Sequence, residues 1–121
     1  MSVNSFTAKV LDAVAATADR TSEVIQIDRC VLGSLHIITT GTPVATAFIL
    51  KFSNAPGGAS MATTTDTTVL TALAAAVAAI GNGTPGSYVV ENIALSAAFM
   101  QFVYDHSSST GTITVYLAAK N

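Results

Sequence analysis

The sequence predicts an all-β protein, an antiparallel β-sandwich of jelly-roll or immunoglobulin-like type in a single domain over residues 1–121. Two observations carry this. Short segments alternate apolar and polar residues with period two, which places one face of a strand in a core. Turn-forming clusters separate these segments at short intervals, with no linker and no internal repeat, and about seven or eight strands fit between them. One alanine-rich stretch departs from the pattern.

In chain order, "SFTAKVLDA" (5–13) puts Phe6, Ala8 and Val10 on one face. "DRTSE" (19–23) is a polar break. "VIQIDR" (24–29) sets Ile25 and Ile27 against Gln26 and Asp28, and "SLHIITT" (34–40) sets Leu35 and Ile37 against Ser34 and His36. "GTP" (41–43) is a turn. "ATAFILKFS" (45–53) groups Phe48, Leu50 and Phe52, with Lys51 on the other face. "NAPGGAS" (54–60) and "NGTPGS" (82–87) are loops rich in residues that favour turns. "YVVENI" (88–93) reads as a strand. At the end, "FMQFVYDH" (99–106), the loop "SSSTG" (107–111) and the alternating "TITVYLAAK" (112–120) read as a β-hairpin with a five-residue loop. Its inner face is Ile113, Val115 and Leu117, and its loop is expected to be open to solvent. The expected core is Phe48, Leu50, Phe52, Phe102, Ile113 and Val115 in facing sheets, with Phe102 and Tyr104 on the opposite face as the alternative, since "AFMQFVY" (98–104) is apolar on both sides.

Residues 66–81, "DTTVLTALAAAVAAIG", admit two structures. Leu70, Leu73, Val77 and Ile80 have helical spacing, Asp66 or Thr67 suits a start and Gly81 a stop. Two strands of small residues fit the same letters. Local propensity favours the helix.

Charge bounds the function. Only 10% of residues are charged, against about 25% in an average soluble domain. A chain of this size exposes roughly 6,000 Å². Five basic and seven acidic residues therefore leave about one charge per 500 Å². Such a surface is poorly protected against association, so self-association is expected, with a trimer as the first guess. Lys9, Arg20, Arg29, Lys51 and Lys120 are scattered, so no nucleic-acid partner is expected. "MSVNSFTAK" has no apolar centre of a signal peptide, and the apolar run at 72–80 falls short of the roughly 20 residues a bilayer needs. No membrane association is expected. Cys30 is single, so an intrachain disulfide is impossible, and it reads as a small core residue.

Reactive constellations are weak. Asp105, His106 and Ser107 are the residue types of a hydrolase triad, but successive strand residues point to opposite faces and no G-x-S-x-G turn exists. His36 and His106 with Asp28 or Asp105 lack metal-ligand spacing. The glycines of "PGG" and "GNG" are not followed by the lysine of a phosphate loop. Tyr88, Tyr104 and Tyr116 suit either a sugar-stacking shelf or core and interface anchors. No catalysis, cofactor or metal is expected.

"TSEVIQID", "GSLHIITTGTPVATAFILKFSN" and "YVVENIALSAAFMQFVYDHSSSTGTITVYLAAK" follow one another in an order that resembles a β-sandwich domain common among bacteriophage virion proteins. The likeness rests on the threonine-glycine turn, the Ser53–Asn54 pair, the Gly111–Thr112 start of the last strand and the terminal Lys120. The chain lacks the tryptophan strand usual after the Ser-Asn loop and has Gln101 where an arginine is usual. The resemblance implies a virion structural subunit, assembled in the host cytoplasm. Its expected role is capsid decoration or cement, acting through contacts with its own copies and with a larger capsid or tail scaffold. The alternative is a carbohydrate- or receptor-binding module such as a small fibre head. Expected interface residues are the loop His106, Ser107, Ser108, Ser109 and Thr110, and the outward Thr112, Thr114 and Tyr116.

Overall fold

A computed structural model describes residues 5–28, 30–107 and 109–121. The elements are β1 (Ser5–Ala15), β2 (Arg20–Thr21), β3 (Ile25–Gln26), β4 (Leu32–Thr39), β5 (Ala45–Ser53), a 3₁₀ turn (Pro56–Gly58), β6 (Ala62–Thr63), α1 (Thr67–Ile80), β7 (Gly86–Ala94), β8 (Phe99–His106) and β9 (Thr112–Lys120). Two antiparallel sheets face each other. Sheet A has the order β1-β9-β4-β7, and sheet B the order β2-β8-β5-β6, with β3 continuing beside β2 along β8. The chain is thus a sandwich with the winding of a jelly roll. The first arm of one long antiparallel ribbon, β1 to β5, meets the returning arm as β1–β9, β2 and β3–β8, β4–β7 and β5–β6, and rolling brings β9 onto β4 and β8 onto β5.

The alternation in the sequence becomes the two faces of each sheet. Leu35, Ile37, Ile113, Val115, Leu117, Val90 and Ile93 point inward from sheet A, and Phe48, Leu50, Met100, Phe102 and Tyr104 from sheet B. The Phe48 ring stands 6.0 Å from that of Phe102 and 6.2 Å from that of Tyr104 between centroids. Of the six expected core residues, five are buried and Phe52 is half-buried against the cluster.

The alanine-rich stretch is helix. The Asp66 carboxylate caps it by accepting from the Thr68 N–H at 3.0 Å. The buried stripe is Val69, Leu73, Ala76 and Ile80, which packs against β5 and β7 at the side of the sandwich. Leu70, expected inward from its size, is exposed, because the smaller Ala76 allows closer approach on the neighbouring stripe. Gly81 ends the helix at φ −122°, so its left-handed freedom is not used. Instead, the buried Thr39 hydroxyl donates to the Ile80 carbonyl at 2.9 Å and accepts from the Gly86 N–H at 3.2 Å, tying the helix end to sheet A.

The closing hairpin is not a hairpin. β9 pairs with β1 and β4 in sheet A, while β8 pairs with β5, β2 and β3 in sheet B. The chain passes from sheet B to sheet A between the end of β8 and the start of β9. Alternation shows that each strand buries one face; it does not say which neighbour supplies its hydrogen bonds, and five residues span the roughly 10 Å between packed sheets. The crossing from β4 to β5 runs alongside. Thr40 N–H donates to Thr112 O at 3.0 Å, Thr110 N–H to Thr42 O at 3.2 Å and Ser107 N–H to Val44 O at 3.0 Å. Gly111 adopts φ +95°, and a Cβ there would stand 1.9 Å from the Thr40 carbonyl oxygen.

Gly111→Ala therefore combines backbone strain with a backbone clash and should cost about 3 kcal/mol or more. Gly83 has φ +86° with nothing within 4 Å of a built Cβ, so Gly83→Ala should cost only about 1 kcal/mol. Thermal melts of the two variants check this: equal midpoints would remove the crossing from its structural role.

Candidate assembly surface

The outer face of sheet A is bare among the described residues. Strand register lines up one row across all four strands: Lys9 opposite Tyr116, Tyr116 opposite His36, and His36 opposite Val89. The Lys9 ammonium lies 5.6 Å from the centre of the Tyr116 ring, and the His36 ring stands 6.3 Å from that ring at a tilt of 42°. Lys9 also meets Asp12 at 3.3 Å, a solvent-exposed ion pair of little energetic weight. Rows on either side carry Thr7, Ala118 and Ser34, then Thr114, Ile38 and Ser87. Val89 is 47% exposed and Tyr116 38% exposed, and Val31, 62% exposed, is hydrogen-bonded through its N–H to the end of β9 at Lys120. Three of the five large apolar side chains open to solvent thus lie on or at the end of this one sheet.

A shallow depression of about 670 Å³ opens at the far end of the face, where Phe6, Ser34, Glu91, Asn92 and Lys120 meet. Its floor comes from a β-bulge. Glu91 and Asn92 together oppose Ser34, and Asn92 takes φ +57°, a conformation that asparagine tolerates.

The structure divides the expected interface residues into two groups. Thr112, Thr114 and Tyr116 point outward on sheet A. Of these, Thr112 is bonded through its hydroxyl to that of Thr40 at 2.8 Å, and Thr114 accepts the Ala13 N–H at 3.1 Å, so only Tyr116 has a free outer surface. The loop group lies at the end of the sandwich and is mostly engaged internally. His106 donates its N–H to the Asp19 carboxylate at 2.8 Å. Thr110 bonds to the Thr42 hydroxyl at 2.6 Å. Ser109 sits between the buried Tyr104 hydroxyl, at 2.9 Å, and the Ala16 carbonyl, to which it donates. The open loop expected from composition is therefore a stitched corner, and Ser108 lies outside the described residues. The sequence reading missed Lys9, His36 and Val89 as parts of one surface. Alternation turns His36 outward, but only strand order makes it a neighbour of Tyr116.

The remaining constellations do not converge. Asp105 lies on the outer side of β8, His106 is held through its backbone, and no group of three or more metal-ligating side chains forms among the described residues. The three tyrosines do not share a face: Tyr104 is fully buried, Tyr88 packs against the core and Tyr116 is exposed. No helix among the described residues is long and apolar enough to cross a membrane.

No protein-family model and no curated protein matches the chain. Among solved structures, the chain is similar to the crystal structure of the SPBc2 prophage-derived protein YomS, with a TM-score of 0.51 over 100% of this chain and 96% of that one. What the two share is the fold. Identity is 14%, so the likeness carries architecture and no residue roles.

Two variants separate the surface from the corner. Ser109→Ala leaves the buried Tyr104 hydroxyl and the Ala16 carbonyl with one partner fewer and should cost about 1–2 kcal/mol. Tyr116→Ala should change stability by less than about 1 kcal/mol, since its ring lies on the outer face and loses only the surface contacts with Lys9 and His36. Urea unfolding midpoints that reverse this order would contradict the assignment.

Proposed function

We propose that this protein is a non-enzymatic structural subunit of a bacteriophage virion, a capsid decoration or cement protein or a similar particle-surface subunit. It docks onto a larger capsid or tail scaffold through the outer face of sheet A. The observation that carries this reading is the Val89–His36–Tyr116–Lys9 row, which crosses every strand of sheet A and is flanked by small, aliphatic and hydroxyl side chains. Aromatic and aliphatic anchors with few charges are the composition of an interface core. Tyr104 and Tyr88 turn into the core and leave Tyr116 without a second tyrosine on this face, so no tyrosine shelf for a sugar forms there, which favours assembly over a carbohydrate-binding module. The prophage source of YomS supports a phage setting, and the resemblance of the sequence to virion sandwiches points the same way. The place of action in this reading is the virion, assembled in the host cytoplasm.

The test uses particles from an induced lysate encoding the chain. Tagged protein should co-sediment with them and appear on their surface by immunogold labelling. Val89→Glu with Tyr116→Glu should leave the melting midpoint within about 3 °C. The same pair should weaken co-sedimentation at least about tenfold, as expected for interface anchors. Unchanged co-sedimentation removes this face from the docking role, and absence from all particles removes the virion reading.

A further inference from the structure

The other sheet has an outer face of a different character. Along β5 and β8 the outward residues pair as Ile49 with Val103, Lys51 with Gln101, and Ala47 with Asp105. Thr21 extends the first row on β2 and Thr63 the second on β6. Ile49, Val103, Lys51, Gln101, Ala47 and Asp105 are all half-buried. Beside them α1 has no charged residue in its fourteen positions, and its Leu70 is 42% exposed. A groove of about 300 Å³ lies between the helix and β5, lined by Ala47, Ile49, Thr63, Leu70, Ala74 and Val77 among others, so helix flank and sheet form one surface. A surface helix normally turns charged side chains to water; one that is uncharged all round belongs in an interior.

Lys51 and Asp105 identify the occupant. They are opposite in sign, on one face, and neither has an ion-pair partner among the described residues. They stand two register positions to either side of the Ile49–Val103 pair, hence about 14 Å apart by strand geometry, too far to meet within one chain. A two-fold axis through Ile49–Val103 places Lys51 of each copy over the end where the other carries Asp105. The same axis sets the apolar centres together and the exposed Leu70 of each copy near the helix groove of the other. This is the self-complementarity of an isologous contact, in which one patch meets itself. The trimer first suggested by composition needs two different patches on each copy; Lys51 and Asp105 share one. Area is sufficient only when sheet and helix act together. Helix α1 is about 21 Å long and covers about 200 Å². The sheet face adds about 450 Å² per copy, for roughly 1,300 Å² in all, within the range of specific interfaces.

We infer that the outer face of sheet B, flanked by α1, binds a second copy of this chain about a two-fold axis, with reciprocal Lys51–Asp105 pairs. The inference shares with the proposed function the idea of a subunit acting by contact, but it concerns the opposite sheet. Self-association can fail while particle docking through sheet A holds, and the reverse.

Charge reversal tests it on the full chain by analytical ultracentrifugation, with circular dichroism melts for each variant. The natural chain should form dimers, or even-numbered assemblies built from them. Lys51→Glu and Asp105→Lys should each raise the dissociation constant at least about tenfold, because two like-charge contacts replace two attractive ones. The double variant should return to within about threefold of the natural chain, since its charges are complementary again. Val89→Glu on sheet A should leave self-association unchanged. Should either reversal lower the melting midpoint, Lys51→Gln and Asp105→Asn replace it, each expected to weaken association about threefold. A natural chain that stays monomeric to about 200 µM, well above the micromolar range of ordinary complexes, overturns the inference. So do single variants without effect, and so does a double variant that remains as weak as the singles.

Discussion

Three crossings between the sheets meet at one end of the sandwich, and their close approach fixes the rest of the fold. The passages from β1 to β2, β4 to β5 and β8 to β9 lie in contact there. Ala16 N–H donates to Gly111 O at 2.9 Å, and Gly111 packs so tightly on Thr40 that no side chain fits. The Tyr104 hydroxyl reaches the Ala16 carbonyl at 3.1 Å, the Val44 carbonyl at 3.3 Å and Ser109, touching all three passages from the core side. A buried hydroxyl without partners costs of the order of 1–3 kcal/mol, so this arrangement favours one mutual placement of the crossings. Once they are set, β9 must lie between β1 and β4, and β8 between β5 and the pair β2 and β3. The jelly-roll order follows.

The same winding leaves two broad outer faces with little charge. In most antiparallel sandwiches the solvent face is marked by polar and charged side chains. Here it carries threonine, serine, alanine and half-buried aliphatics, with few charges among them: Lys9, Asp12, Glu91 and Lys120 on sheet A and Lys51 and Asp105 on sheet B. The accessible surface is 6118 Å², close to the size expected for a lone domain of this length, so the charge shortage is not relieved by unusual compactness. The proposed docking and self-association would both cover such a surface. The edges are treated differently. β1 is broken by two register shifts, with Ala13 at φ +47°, and β7 by the bulge at Asn92. Bulged edges resist open-ended strand addition.

Similarity of fold to a prophage-derived protein at 14% identity, with no family model matching, fits this division. A sandwich core requires only alternating apolar residues of suitable volume, so the architecture tolerates nearly complete sequence change. Outer faces answer to whatever they touch and need not be shared at all.

The sequence by itself determined what depends on neighbours along the chain. Period-two alternation gave the inward faces of β4, β5 and β9, and with them Phe48, Leu50, Ile113 and Val115 as core, whereas β8 is apolar on both sides and only packing turned Phe102 and Tyr104 inward. Asp66 and the alanine run favoured a helix over two strands, because capping and propensity are local, and the packing of α1 on β5 and β7 settled it. Tertiary structure decided whatever depends on which strand lies beside which. It separated β8 from β9, since alternation is the same for a hairpin and for a crossing between sheets. It turned Val69 and Ala76 inward, left Leu70 exposed and kept Val77 half-buried against the core, as the helix packs on β5 and β7. It drew Ser109 and Thr110 into hydrogen bonds, and it aligned Lys9, Tyr116, His36 and Val89, residues as much as 107 positions apart, in one row. Strand register is a long-range property, set by the crossings at Gly41 and Gly111, and no local pattern encodes it.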